Sequence, residues 1–417
     1  MTVFEGAGAL FTLIAIFGVI NHRFIKLPDT IGITAVGLIV SACISVAGFH
    51  HPGMVKEAQK LVAQIDFPGI VVHGFLSLLL FAGALHVDFS KMKVHKKAVF
   101  LLATVGVLIS TAVVGFGLWV VALTLGHNVS LQWCLVFGAL ISPTDPIAVM
   151  SILRKAGAAE SLELKIAGES LFNDGTGVVA FITLVLVASG GAHVSLAAVA
   201  FALVQEIVGA VVLGAALGWA AFALLRMVDS YAIEIMITLA LATAGYSAAE
   251  WLHVSAPLAV VVMGLVIGNH AMTRAMSEQT REHLSTFWTL LDELLNLLLF
   301  GLIGLEVIAL SLKTDLVLFG LLAVPVVLAA RGVSVALPLL ALKGFRKLSP
   351  HAVKIMTWGG LRGGLSIAMA LSLPEFEERY LIIGATYVVV LFSLLVQATT
   401  LGPYIRKLNA SSQRPPC

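Results

Sequence analysis

Long apolar runs separated by short polar segments repeat along nearly the whole chain, and each run is long enough for a helix that crosses about 30 Å of hydrocarbon. The pattern predicts thirteen spans, near 4–21, 29–49, 67–87, 98–125, 130–153, 165–189, 195–227, 231–252, 255–271, 287–311, 315–342, 353–373 and 380–405. No polar stretch is long enough for a soluble domain. The longest, Met272 to Ser285, is expected to form an amphipathic helix at the cytoplasmic surface, and the tail after Leu408 is too short to fold.

The charges test this count, because a wrong number of spans would scramble the alternation of Lys and Arg. With the N-terminus outside, 19 of the 25 basic residues fall on inner segments. Only Lys56, Lys60, Lys313 and Arg379 fall on outer ones, and Arg331 and Arg362 lie inside spans. The chain therefore reads as an all-α, multi-pass protein of the cell membrane with a cytoplasmic C-terminus. An odd number of spans suggests two six-span halves, 1–189 and 229–408, joined by a linking helix, 190–228, and followed by a short cytoplasmic tail, 409–417. Halves of opposite orientation are the inverted repeats of many secondary transporters.

In that scheme span five corresponds to span twelve, and these two carry the strongest helix breakers. Span five reads ALISPTDPIAV, with Pro143 and Pro146, and span twelve reads TWGGLRGGLSI, with Gly359, Gly360, Gly363 and Gly364. Proline removes a backbone donor and clashes with the preceding turn, and glycine costs about 1 kcal/mol in a helix. Interrupted helices at matching places in two halves point to a transport site.

Composition narrows the class further. The chain is 59% hydrophobic and 12% charged, against about 25% charged in soluble domains. A net charge of +2 offers no field for nucleic acid. Cys43, Cys134 and Cys417 lack the spacing of a disulfide framework or metal site. The N-terminus has no basic n-region, so its apolar run is expected to be a retained span rather than a signal peptide. No cofactor and no enzymatic activity are expected.

The chemistry concentrates in span six, at Gly168 to Gly177, GESLFNDGTG. It places Glu169 and Asp174 in the membrane, where a central charge costs roughly 2.5–3.5 kcal/mol and marks a functional candidate. Ser170 and Asp174 share one helical face, and Glu169 and Asn173 the next. Hydroxyl, carboxamide and carboxylate oxygens suit a hard monovalent cation, and the carboxylate equally accepts a proton. Burial disfavours its charged form, so Na⁺ and H⁺ are expected to compete for Asp174.

Span five adds Thr144 and Asp145 at its break, with Asp145 expected to face the positive end of a half-helix. Arg362 is expected to compensate half-helix carbonyl ends and to pair with Glu169, since an unpaired arginine in the membrane is costly. A second buried pair is expected between Glu306 and Arg331. Glu206 and Glu234 are expected at the periphery, and Asp292 and Glu293 at a membrane edge. Gly214 and Gly218 suit close helix packing.

Three motifs carry a family resemblance: SPTDPIAV (Ser142 to Val149), GESLFNDGTGVV (Gly168 to Val179) and GGLRGGLSIAMALSLP (Gly359 to Pro374). With the thirteen-span plan they resemble the sodium/proton exchangers of monovalent cation/proton antiporter family 1, in the prokaryotic form that lacks a long regulatory tail. The resemblance implies that Asp174 is the ion-binding acid, that Ser170 and Thr144 are accessory Na⁺ ligands, and that Glu169 with Arg362 is the stabilising pair. The Asn173-Asp174 pair implies electroneutral exchange of one Na⁺, or Li⁺, for one H⁺. Membership further implies a homodimer in which a core bundle moves against a scaffold. Some relatives carry an acid in span three where this chain has Ala82, which places more of the burden on Asp174. Two rival readings are a K⁺/H⁺ antiporter of the same fold and an intramembrane aspartyl protease using Asp145 and Asp174. The second lacks a GxGD sequence.

Overall fold

The computed structural model describes residues 3–47, 53, 67–190, 196–309, 314–341 and 351–412. The secondary structure of those residues is entirely helical, and every expected span is present. Ten are helices long and apolar enough to cross a membrane. Span three is a shorter apolar helix, Leu76–Leu85, continued backwards through wider turns to Phe67.

The remaining two are interrupted where proline and glycine predict. Span five consists of half-helices Leu131–Ile141 and Pro146–Ala156, and span twelve of Ala352–Trp358 and Gly364–Leu371. Pro146 occupies the first position of its half-helix, where a missing N–H costs nothing and a fixed φ is an advantage.

Packing follows from which faces are apolar. Spans four, five, six, eleven, twelve and thirteen share a core built on Val114, Phe137, Phe181, Phe319, Ile367 and Tyr387. Spans three, seven, eight and nine share another around Phe81, Tyr246 and Val260, and spans one and two meet through Ile14 and Ile33. Span ten (Glu278–Glu306) joins the groups, giving Phe300 to the first core, Trp288 to the second and Leu305 to the third. Span seven lies directly on span nine at Gly214 and Gly218, where an added Cβ would fall 2.5 Å from the Ala259 carbonyl and 2.9 Å from Val266 Cβ. That is the close approach expected of this pair.

Some expectations change. Met272 to Ser285 is not a separate helix. A single turn, Met272–Arg274, ends before Ser277, whose Oγ accepts the Thr280 N–H at 3.4 Å. This N-cap starts span ten, so the polar residues after it form the opening turns of a 29-residue helix. Glu234 is wholly buried rather than peripheral, because the first turn of span eight is covered by the start of span ten; Glu206 is half-buried. The basic residues Lys56, Lys60, Lys313, Lys343, Arg346, Lys347 and Arg414, and Cys417, lie outside the described residues.

Candidate functional site

A broken helix inside a membrane exposes backbone groups that no water can satisfy, and each left unpaired costs several kcal/mol. At the two breaks these groups are taken up by each other and by neighbouring side chains. The Asp145 N–H donates to the Leu361 carbonyl at 2.8 Å, so the interruptions of spans five and twelve touch. Arg362 Nη1 donates to the carbonyls of Ser142 and, at 2.9 Å, Pro143. Its own N–H goes to Ser393 Oγ at 2.9 Å, and Gln397 Nε2 donates to the Trp358 carbonyl at 3.0 Å. Ser393 and Gln397 both belong to a wide turn of span thirteen, a distortion that recurs at functional sites.

Arg362 therefore does what was expected at the carbonyl end of a half-helix, but it does not pair with Glu169. The buried pair joins Glu169 to Arg331: Nη1 contacts Oε1, and Nη2 donates to Oε2 at 3.1 Å. Arg331 Nε also donates to the Met356 carbonyl at 3.3 Å. The expected pair of Glu306 and Arg331 is thus overturned as well, and among the described residues no cation lies in ion-pair contact with Glu306. The physical reason is reach. Arg362 sits within the break of span twelve, where the nearest acceptors are the carbonyls of the facing break, while Arg331 comes from span eleven across Gly360. A Cβ at Gly360 would fall 2.4 Å from Arg331 Nε.

Against this scaffold lies a cavity of about 120 Å³. Thr144, Asp145 and Asp174 line it, with Gly363 to Ser366 from span twelve and apolar residues of span three. Asp174 is the central residue of the 29-residue helix Glu160–Ala188. Its side chain is partly open, and among the described residues no hydrogen bond or ion pair engages it. Asp145 packs against the start of the second half-helix of span twelve, with Oδ2 2.6 Å from where a Cβ on Gly363 would stand.

Ser170 and Asn173 do not line the cavity. They are buried behind it and hold Thr144 in place. Asn173 Nδ2 donates to Thr144 Oγ1 at 2.8 Å, Asn173 Oδ1 accepts the Thr144 N–H at 3.3 Å, and the Thr144 and Ser170 hydroxyls are 2.9 Å apart. Both polar ends of Asn173 are committed to Thr144, so this carboxamide positions a candidate ligand instead of offering one.

Two residues escaped the sequence reading. Asp292, expected at a membrane edge, lies on the cavity wall together with Asn296. Asp292 is the central residue of span ten, as Asp174 is of span six. The Ser277 cap was the available signal, since counting from it puts Asp292 halfway along the helix. From span three, Leu79, Leu80 and Gly83 reach the cavity and no acid does; Ala82 is buried elsewhere.

The family model described as "Sodium/hydrogen exchanger, transmembrane" matches residues 10–407. The chain is 45% identical over 407 residues to the Na⁺/H⁺ antiporter NhaP of Pseudomonas aeruginosa, covering 96% of each chain. It is 34% identical to the Na⁺/H⁺ antiporter NhaH of Halobacillus aidingensis, covering 93% of each. The fold is that of the sodium proton antiporter MjNhaP1 from Methanocaldococcus jannaschii, with a TM-score of 0.74 at 21% identity over 98% of this chain and 99% of that one.

Proposed function

Because the chain belongs to the sodium/hydrogen exchanger family, we propose that it is a secondary antiporter of the cell membrane that exchanges Na⁺ for H⁺ through one shared carboxyl group, Asp174. One observation carries this reading. A carboxylate halfway along a membrane-crossing helix opens on a cavity without a basic partner among the described residues, while Glu169, five residues before it, is neutralised by Arg331. A charge in a low-dielectric setting needs a counter-ion or a proton. Asp174 takes one or the other, and alternation between them yields exchange.

Thr144 on the cavity wall supplies a neutral oxygen beside the carboxylate. Ser170 and Asn173 fix that hydroxyl, and Asp145 adds negative potential at the start of a half-helix. One acid exchanging one cation for one proton moves no net charge. The orientation, with the N-terminus outside, follows from the basic residues. Alternating access would come from the group of spans four to six and eleven to thirteen shifting against spans one to three and seven to ten, in a homodimer.

Purified protein in liposomes carrying a pH gradient tests the reading. Na⁺ and Li⁺ are expected to dissipate the gradient at rates unchanged when the membrane potential is clamped, and K⁺ is not. Equal rates with K⁺ would favour the potassium reading, and no response to any of the three would sink the proposal. Gly363→Ala is a sharper check on the cavity wall. Its Cβ would overlap the Asp145 carboxylate, so exchange is expected to fall at least about tenfold, a barrier change of ~1.4 kcal/mol, with folded protein recovered normally by size exclusion.

A further inference from the structure

Span ten brings to the cavity a pair of groups that the exchange step at Asp174 does not use. Asp292 and Asn296 are four residues apart and share one face of the helix; both line the cavity. Asn296 is 2% exposed, and its Nδ2 donates to the Asp292 carbonyl at 2.7 Å. That bond fixes which end of the carboxamide is which, and it leaves Oδ1 buried with no partner among the described residues. An orphaned buried acceptor is costly, and such groups call for an explanation. A carboxylate and a carboxamide oxygen on one face form a donor set for a monovalent cation and offer nothing to an anion.

Taking the antiporter reading as given, we propose that Asp292 and Asn296 Oδ1 form a second cation subsite. It lies on the span-ten side of the cavity that Asp174 also lines. The two acids stand at the midpoints of two different helices that both line the cavity, span six and the span ten that joins the cores. A cation entering between them meets a fixed carboxylate on span ten and a second one on span six. The unmatched Oδ1 is satisfied when the cation is present. Span ten thereby supplies an acid to the cavity wall beside Asp145 and Asp174, where span three supplies none.

The test is Na⁺-driven proton flux in liposomes as a function of Na⁺ concentration, at constant ionic strength with choline. Asp292→Asn is expected to raise the apparent KM for Na⁺ about tenfold, equivalent to ~1.4 kcal/mol, with Vmax within about twofold. Asp292→Glu should recover most of the affinity, and Asn296→Leu should raise KM severalfold. A KM unchanged by Asp292→Asn, whatever happens to Vmax, would overturn the subsite in favour of a structural role.

Calorimetry separates this from the transport reading. Purified Asp174→Asn protein is expected to keep weak Na⁺ binding that adding Asp292→Asn removes. Binding indifferent to the second substitution would also defeat the subsite. If the wild-type protein moved no cation, the transport reading alone would fail, and the calorimetric result would still decide whether Asp292 binds Na⁺.

Discussion

Asp174→Asn is expected to abolish Na⁺-driven proton movement, by at least about 100-fold or ~2.7 kcal/mol, while leaving the protein folded. The substitution keeps the size and shape of the side chain but removes both the charge that holds a cation and the oxygen that holds a proton. Neither half of the cycle then has a carrier. Folding is spared because the Asp174 carboxylate has no bond to a described residue that could be lost, and a neutral amide is less costly to bury than a charge. Asp174→Glu should retain partial exchange with altered Na⁺ affinity, since the group survives but is displaced by one methylene. The measurement is dye-reported pH change in liposomes, with size-exclusion profiles as the folding control. Undiminished exchange in Asp174→Asn would move the carrier role to Asp145 or Asp292, the other acids on the cavity.

The membrane made the fold legible. A chain that must bury every backbone polar group within each span has few architectures open to it, so run length and the placement of Lys and Arg located all thirteen spans. The breaks were legible too, because Pro143, Pro146 and the glycines of span twelve act locally. Asp174, Asp145 and Thr144 stood out as polar groups among apolar neighbours, and the structure brings the three to one cavity.

What the sequence left open was which helix neighbours which. Periodicity says that Glu169 and Asn173 share a face, but not what that face meets. Glu169 was therefore paired with Arg362 and Glu306 with Arg331, whereas the structure pairs Glu169 with Arg331 and leaves Arg362 on the half-helix carbonyls expected of it. Gly360, the small residue that Arg331 crosses, acquires its meaning only once spans eleven and twelve are seen side by side. Asn173 shows the same limit. Its amide looked like a ligand beside Asp174, and only the position of Thr144 across the break reveals that both of its ends are occupied.

The corrected pairing carries the second large prediction. Glu169 is 1% exposed and Arg331 6%, so Arg331→Met leaves a carboxylate buried without a partner, a change worth about 3–5 kcal/mol. The Met356 carbonyl loses its donor at the same time. Set against a total stability of about 5–15 kcal/mol, the expected result is a large loss of folded protein in fluorescence-detected size exclusion and a much lower melting temperature in what remains. Glu169→Leu should be nearly as damaging, because it strands the guanidinium. Replacing both residues by apolar ones removes two buried charges together, which is often close to neutral, so the double variant is expected to be more stable than either single one. It should still fall short of the wild type, since the Met356 carbonyl stays unsatisfied. Glu306→Gln, which touches neither partner, should leave the melting temperature almost unmoved. Equal losses from Glu306→Gln and Arg331→Met, with none from Glu169→Leu, would show instead that span ten holds the partner of Arg331.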